Sequence, residues 1–358
     1  MIISSKCFEK GWIADQREKV KANDPGLLEK CIFALELLGR LSGRDIDFVF
    51  KGGTSLLLLL DKPRRLSVDI DIATLAPANV LDAILPELAY PPFKGCEEDI
   101  RGEGRLPRRR HFKFYYQSQL TGRESNVLLD ILEEENRFPE TALVPIRTSF
   151  IEIDELVSVR VPSIECLAGD KLTAFAPTTV GVPLNDRTNM QVVKQVFDLG
   201  ELFNAVQNLE MVKESHAAVF AAENGYRKFK FTLEQSISDT VDTAAEVCQI
   251  NLKGAQRTSS GELMQQGISR LANHLLGGYY RLDDAKVSAS KSALLAVAIA
   301  GEVHSHTMSG LRFDPNDLEA IRSASLSRWP ILNRLKQINP EAFFYWYMCE
   351  QLTNERQR

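Results

Sequence analysis

The stretch that decides the fold is Lys51-Gly52-Gly53-Thr54, followed after a leucine-rich segment by Arg65-Leu66-Ser67-Val68-Asp69-Ile70-Asp71. Residues 47–50, just before the glycines, have the composition of a β-strand, and the leucines after Thr54 favour a helix. In the second motif, apolar Val68 and Ile70 alternate with the two aspartates, as in a strand with one buried face. The sequence therefore predicts strand, glycine turn, helix and strand, with both carboxylates on one face.

The glycine turn has the features of a phosphate-binding site. Gly52 and Gly53 lack a Cβ, so a phosphate can approach the main chain closely, and the free amides of a following helix would point at the anion. We predict that Lys51, Gly52, Gly53 and Thr54 bind a nucleotide, with the Thr54 hydroxyl as a further donor. A lone Gly-Gly-Thr is more often a strand-to-helix turn without a ligand. The downstream carboxylates shift the balance towards phosphate binding.

Three carboxylates are candidate metal ligands and catalytic residues. Asp69 and Asp71 are two residues apart on one strand face, and Mg²⁺ prefers such hard oxygen ligands, with phosphates and water completing its shell. A solvated strand face is the alternative, but like charges at one edge of a buried sheet are costly unless a cation offsets them. Asp130 stands alone in the apolar strand pattern of residues 126–132. We predict it as the third ligand and as the acceptor of a proton from an attacking hydroxyl.

The rest of the chain divides by pattern. Helical spacing covers residues 25–41, and strand patterns cover residues 111–116, 127–132, 148–153 and 156–161. After Pro162 the periodicity is helical, first over residues 165–176, 190–206 and 209–224. We predict an α+β fold: an α/β domain with a mixed sheet over residues 1–160, then an all-helical domain over residues 161–358 that forms the second wall of a substrate cleft.

Bulk properties exclude several classes of protein. The 358 residues are 44% hydrophobic, which is enough for a sizeable core, and the six cysteines form no CxxC pair. Such scattered cysteines predict a reducing, cytoplasmic setting. We expect no membrane partner, because the apolar run from Leu56 to Leu60 is far shorter than the roughly 20 residues that span a bilayer. The net charge of -5 gives no general attraction to nucleic acid, so a polynucleotide would need a local basic patch.

Such a patch lies before and within the third strand pattern. Its basic residues are Arg105, Arg108, Arg109, Arg110 and Lys113, interleaved with His111, Phe112, Phe114, Tyr115 and Tyr116. The patch offers phosphate contacts and stacking surfaces for RNA. An equally good interpretation is a basic loop that enters a strand whose alternate aromatics belong to the core. The sequence leaves both interpretations open.

The motifs together resemble a known family. Lys51-Gly52-Gly53-Thr54, Arg65-x-Ser67-x-Asp69-Ile70-Asp71, Glu165-x-x-x-x-Asp170-Lys171-Leu172-x-Ala174 and Lys194-x-x-x-Asp198-Leu199 are similar to those of the AbiEii-type nucleotidyltransferase toxins of type IV toxin–antitoxin systems. The likeness covers about residues 30–200 and is negligible past residue 210. The first two motifs in this order are fairly specific to nucleotidyltransferases, whereas the helical motifs are degenerate.

The resemblance implies a polymerase-β-like fold and a function. AbiEii-like enzymes transfer a nucleoside monophosphate from a nucleoside triphosphate to RNA, in known members the 3′ end of tRNA, and so block translation. The resemblance also implies Mg²⁺ dependence and a separately encoded antitoxin similar to the AbiEi family. Two alternatives stay open. The first has another acceptor and is a protein AMPylating or antibiotic nucleotidyltransferase. The second is an inactive nucleotidyltransferase fold that only binds a partner.

Site residues follow from the resemblance by position. Gly53 and Thr54 match the triphosphate-binding motif, and Asp69 and Asp71 match the metal ligands, while Asp130 matches less securely. Lys171 matches the helical lysine near the phosphates, and Asp198 matches the later catalytic acid. We also predict Arg65 and Ser67 as nucleotide-binding residues. An ammonium on a helix beside the cleft would neutralise charge on the leaving pyrophosphate. The alternatives are that Lys171 is a surface lysine and that Asp198 pairs with Lys194 one helical turn away.

Overall fold

The computed structural model describes residues 1–100, 107–301 and 307–356 and divides the chain into two compact units. The first, called here the sheet unit, comprises Met1–Asn136, Thr141–Ser163 and the short later segment Asn273–Tyr279. The second, the helical unit, comprises Arg137–Glu140, Ile164–Ala272 and Tyr280–Arg358. Two short segments therefore belong to the unit other than the one that their place in the sequence suggests.

The sheet unit contains all the named strands of the described chain. Its elements in order are α1 (Lys10–Val20), α2 (Pro25–Ser42), β1 (Val49–Lys51), α3 (Leu56–Leu59), β2 (Ile70–Thr74), α4 (Ala78–Glu87), β3 (Phe93–Glu98), β4 (Arg109–Gln117), β5 (Glu124–Glu133), β6 (Thr141–Pro145) and β7 (Ser158–Pro162). The main sheet has the strand order β1-β2-β5-β4-β3, and β6 pairs with β7 in a separate antiparallel ladder. Since β2 and β5 are parallel and the other neighbours antiparallel, the predicted mixed sheet is confirmed.

Helix α2 packs against one face of this sheet. Its side chains are apolar around most of the circumference, and Asp24 caps its first turn by accepting the amides of Gly26 and Leu27. The ring of Phe33 stacks on that of Tyr116 from β4, with 3.7 Å between centroids. The buried side chains of β4 and β5, together with Ile70 and Ile72 of β2, lie on this face because residues alternate along each strand.

The strand predictions were wrong in three places. Residues 148–153 form no strand and contribute only an isolated bridge between Ile3 and Ile153. Strand β6 occupies residues that carried no strand pattern, since most of its side chains are half or fully exposed and its apolar residues do not alternate. Strand β3 was also missed, because Phe93–Glu98 is an edge strand with one fully buried side chain and reads as a polar loop.

The helical unit contains the later helices. They are α5 (Ile164–Ala174), α6 (Asn189–Ala205), α7 (Leu209–Tyr226), α8 (Leu233–Gln249), α9 (Ser259–Leu271), α10 (Leu282–Ala300), α11 (Met308–Leu311), α12 (Asp317–Arg322), α13 (Leu335–Ile338) and α14 (Pro340–Glu355). Helix α10 is buried along most of its length and packs against α6, α8 and α14. Its many alanines and serines allow this close packing of neighbours. None of the helices in the described ranges is long and apolar enough to cross a membrane.

Candidate active site

A row of polar side chains crosses four strands of the sheet. Lys51 of β1 lies opposite Asp71 of β2, Asp71 lies beside Asp130 of β5, and Asp130 lies opposite His111 of β4. Directly paired residues share one face of a sheet, and this is the face opposite the one that helix α2 covers. All four side chains are half-buried. The register therefore brings the predicted acids Asp71 and Asp130 next to each other.

The glycine turn is built around the Asp71 carboxylate. Gly52 has a φ of +79°, and a Cβ added to it would lie 2.4 Å from the Asp71 Oδ2 atom. A Cβ on Gly53 would lie 2.5 Å from Nη2 of Arg65 and 3.1 Å from the Ser67 hydroxyl. The absence of both Cβ atoms lets two predicted nucleotide-binding side chains and one predicted metal ligand contact the turn. The structure thus brings the two sequence motifs into contact.

Two hydroxyl groups fix the turn from within. Thr54 is fully buried and donates its hydroxyl to the Asp69 carbonyl oxygen at 2.6 Å, and Ser55 donates to the Gly52 carbonyl oxygen at 2.8 Å. Thr54 therefore ties the turn to the Asp-x-Asp segment in this structure, and its binding of phosphate stays a prediction. The helix expected after it is the single turn α3, so the structure lends little support to the expected helix dipole.

Arg65 is held by a segment from much later in the sequence. Residues Asn273–Tyr279, called here the strap, run beside it: Leu275 forms an antiparallel bridge with Arg65. The Leu66 amide donates to the His274 carbonyl at 2.6 Å, and the Leu276 amide donates to the Arg64 carbonyl at 2.8 Å. The Arg65 side chain is buried beside Gly53. The strap therefore fixes the backbone of a residue that is predicted to bind phosphate.

Asp130 has a partner that the sequence did not suggest. Nδ1 of His111 lies 2.6 Å from Oδ1 of Asp130, and these side chains are 18% and 35% exposed. The sequence placed His111 among the aromatics of the basic patch, because the register between two strands cannot be read from either strand alone. With the register known, the pair is a direct cross-strand contact.

A second unpredicted residue lies near Asp69. Lys30 of α2 is half-buried, and burial lowers the pKa of its ammonium, while the negative charge of Asp69 acts in the opposite direction. Nothing in the helical pattern of residues 25–41 distinguishes this lysine from one on a solvated face. It adds a positive charge within electrostatic range of the Asp-x-Asp motif.

Two of the predicted metal ligands lie close enough together to be compared with the usual surroundings of Mg²⁺. Within residues 1–100, 107–301 and 307–356, no three His, Cys, Asp or Glu side chains converge into a complete metal site. Mg²⁺ is commonly bound through only one or two carboxylates, with phosphate oxygens and water as the other ligands. Asp71 and Asp130, which are direct neighbours on parallel strands, provide such a pair, while the assignment of Asp69, Asp71 and Asp130 as three ligands stays a prediction.

The helical unit places two predicted catalytic residues together. Nζ of Lys171 in α5 lies 3.1 Å from Oδ2 of Asp198 in α6 and also donates to Oε1 of Gln195 at 2.9 Å. Both charged side chains are buried, so Lys171 is no surface lysine. A buried charge is costly without a partner, which explains why the two helical motifs occur together.

The basic patch is partly neutralised by acids of the same unit. Arg110 pairs with Glu98 and Asp82, and the hydrogen bond to Glu98 is the main reason that the pKa of Arg110 is raised. Lys113 pairs with Asp99 at 2.9 Å. The alternate aromatics Phe112, Phe114 and Tyr116 are buried, as the core interpretation predicts. Arg108 and Arg109 are exposed, and Arg105 lies outside the described residues.

Comparison with known proteins gives one strong match. A family model described as nucleotidyl transferase AbiEii toxin, type IV toxin–antitoxin system, matches residues 36–280, which is well over half of the chain. The match extends beyond the motif-bearing residues 30–200 and includes the strap, so the expectation of negligible likeness past residue 210 was wrong. No curated protein matches.

Two similar solved structures come from Helicobacter pylori. The crystal structure of JHP933 has a TM-score of 0.42 and 16% identity, covering 76% of this chain and 89% of that one. A crystal structure described as a candidate nucleotidyltransferase has a TM-score of 0.41 and 16% identity, covering 76% of this chain and 92% of its own.

Proposed function

This chain belongs to the AbiEii family of nucleotidyltransferase toxins of type IV toxin–antitoxin systems, and we propose that it transfers a nucleoside monophosphate from a nucleoside triphosphate to the 3′ end of tRNA. The single observation that carries the transferase chemistry is the contact of Gly52 with Asp71, where a Cβ would lie 2.4 Å from the carboxylate oxygen. It brings a glycine turn of the kind that binds phosphate directly against an acid suited to a metal ion. The choice of tRNA rests on the family resemblance.

Different groups in and beside the turn bind the triphosphate in this proposal. The main chain of Gly52 and Gly53 accommodates the phosphates, and the Arg65 guanidinium beside Gly53 offers them a charged donor. Asp71 and Asp130, together with Asp69, are the side chains that would hold Mg²⁺, which when bound neutralises charge on the phosphate oxygens. Lys171 and Asp198 are proposed participants on the strength of their family motifs.

The proposed transfer is a single displacement at the α-phosphorus. The 3′-hydroxyl oxygen of the RNA forms a bond to the α-phosphorus, and the bond from that phosphorus to the oxygen that bridges to the β-phosphate breaks. Pyrophosphate leaves with the electron pair of the broken bond, and Asp130 accepts the hydroxyl proton. The reaction adds one nucleotide and releases one pyrophosphate per turnover, and a tRNA with a blocked 3′ end would no longer support translation.

Membership of this family also implies a partner protein. A type IV toxin–antitoxin system implies an antitoxin, and we propose that an AbiEi-like protein encoded alongside counteracts this chain. Expression of the chain alone should arrest growth, whereas co-expression with the neighbouring reading frame should restore it. Unchanged toxicity on co-expression would contradict the partner assignment and leave the transferase assignment untouched.

The transferase assignment is tested by incorporation of label. The purified protein is incubated with Mg²⁺ and each nucleoside triphosphate labelled at the α-phosphate, in separate reactions with tRNA, other RNA, total protein and an aminoglycoside. We expect label at the tRNA 3′ end, and a loss of about a hundredfold or more in Asp69→Ala and Asp71→Ala, as for other groups that stabilise transition-state charge. Asp61→Ala, which removes an exposed loop carboxylate, is the control.

Each acceptor gives a distinct outcome. Label in protein or aminoglycoside instead of RNA would identify the enzyme as an AMPylating or antibiotic-modifying transferase. Full activity in either aspartate variant would exclude the proposed site. Absence of both incorporation and Mg²⁺-dependent nucleotide binding would favour a partner-binding module.

A further inference from the structure

The contact between His111 and Asp130 joins one nitrogen to one oxygen. Its atoms are Nδ1 of the imidazole and Oδ1 of the carboxylate, 2.6 Å apart. An ionised carboxylate only accepts hydrogen bonds, so Nδ1 carries the hydrogen and donates it. A bond this short to a charged acceptor belongs to the stronger class of hydrogen bonds. One oxygen of Asp130 is thereby engaged, and the second is left for a metal ion or a proton.

His111 itself is held firmly in place. Its carbonyl oxygen accepts a hydrogen bond from the Asp99 amide at 2.7 Å, and its backbone lies within a continuous ladder with β5. Arg110 before it is fixed by Glu98 and Asp82, and Phe112 after it is buried. The imidazole therefore stands on a rigid strand, which suits a group that orients another side chain.

Asp130 depends on this single contact. No other hydrogen bond to its side chain is found among the residues that the structure describes, and its direct neighbour on the other strand is Asp71, also an acid. Two adjacent carboxylates repel each other, so a donor on the far side of Asp130 favours its placement beside Asp71. The imidazole holds it from the side of β4, against that repulsion.

We propose that His111 is a positioning residue whose Nδ1–H orients the Asp130 carboxylate beside Asp71 for metal binding and proton acceptance. The proposal rests on the proposed function, since it assigns a role within that site. It applies the general rule that groups hydrogen-bonded to a metal-binding side chain set its orientation and strengthen its binding. In this proposal His111 takes over the role of neither Asp71 nor Asp130. It acts only through Asp130.

The test measures binding of Mn²⁺ as well as activity. His111→Phe keeps the ring volume but removes the donor, whereas the amide of His111→Asn places an N–H close to the former Nδ1 position. Electron paramagnetic resonance follows Mn²⁺ binding to the full chain in the presence of an α,β-methylene nucleoside triphosphate, and calorimetric unfolding checks the fold. Tyr115→Phe is the matched control, because Tyr115 donates to Glu97 from the same strand and face.

We expect His111→Phe to weaken Mn²⁺ binding by about 10- to 100-fold, the usual effect of losing such a supporting contact. His111→Asn should recover most of the affinity, and Tyr115→Phe should match the unchanged protein. The kcat of incorporation should follow the same order, while the KM for the RNA acceptor stays unchanged. If His111→Phe does not fold, His111→Gln, whose amide reaches the Nε2 position instead, replaces it.

Three results would overturn the proposal. Mn²⁺ binding by His111→Phe equal to that of the unchanged protein would show that the contact does not orient a ligand. Equal losses in a folded His111→Phe and His111→Asn would show that the Nδ1 donor is not what matters. If the unchanged chain itself fails to bind Mn²⁺ with the nucleotide, the proposed function fails, and the positioning role fails with it.

Discussion

Nζ of Lys171 lies 3.1 Å from Oδ2 of Asp198, and the two side chains are 6% and 1% exposed. The pair links the last turn of α5 to the middle of α6 and joins the two degenerate helical motifs into one buried unit. Removing two charges from water costs several kcal/mol for each ion, and only good geometry offsets that cost. The additional bond from Lys171 to Gln195 contributes to that geometry.

This pair allows stability and activity to be separated. Lys171→Met alone should destabilise the fold by roughly 3–5 kcal/mol, because it leaves the Asp198 charge buried without its partner. The double variant Lys171→Met, Asp198→Leu should regain most of that loss, since an apolar pair of similar volume needs no desolvation. Urea denaturation measures the stabilities, and nucleotide incorporation measures the activity.

The proposed catalytic role predicts that the stable double variant is inactive. A double variant that is both stable and active would reduce the pair to a structural feature. If Lys171→Met is as stable as the unchanged protein, the burial of the Asp198 charge is contradicted.

Gly52 should not tolerate a side chain. Gly52→Ala places a methyl group against Asp71 in a left-handed conformation that costs roughly 1–2 kcal/mol for a residue with a Cβ. We expect incorporation to fall at least as far as in Asp71→Ala. Gly122→Ala is the control, because Gly122 has a similar φ of +67° but no atom within 4 Å of its added Cβ. Equal activity of the two variants would show that the contact with Asp71 is unimportant.

The features predicted well from the sequence are those with a local signal. The alternation from Leu66 to Asp71 predicted a strand, which the structure has at Ile70–Thr74 with Asp71 inside it and Asp69 just before it, and the spacing of residues 25–41 gave α2 as Pro25–Ser42. Each depends on the period of buried side chains, which a single segment reveals. The register of β5 with β2 and β4 is not a local property, so the sequence could suggest Asp130 as a third acid but could not predict its contact with His111.

The strap was missed for a related reason. Asn273–Tyr279 contains two consecutive glycines at positive φ, Gly277 and Gly278, and reads as an ordinary loop between helices. Its function as a backbone partner of Arg64, Arg65 and Leu66 depends on residues about 210 positions earlier in the chain. No composition or spacing rule connects segments so far apart, and the signal becomes visible only in the hydrogen bonds.

The strap should influence nucleotide binding through its main chain. Leu276→Pro removes the amide that donates to the Arg64 carbonyl, whereas Leu276→Ala keeps it and loses only the half-buried side chain. We expect Leu276→Pro to raise the KM for the nucleoside triphosphate, because the backbone that carries Arg65 is no longer fixed, with Leu276→Ala close to the unchanged protein. Steady-state incorporation kinetics measure both. Equal KM values for the two variants would show that the backbone bond does not position Arg65.

His216 makes the stability of the helical unit depend on pH. It is 2% exposed on α7, and burial lowers the pKa of its imidazole to about 4. The unfolded chain, with a pKa near 6.5, binds a proton that the folded chain excludes, so this group destabilises the fold as pH falls from about 6.5 towards 4. Between pH 7 and pH 5 the loss should be about 2 kcal/mol. His216→Gln, which does not titrate, should lose that much less over the same range in urea denaturation. Parallel pH profiles for the two proteins would show that the imidazole is charged in the folded state or exposed to water.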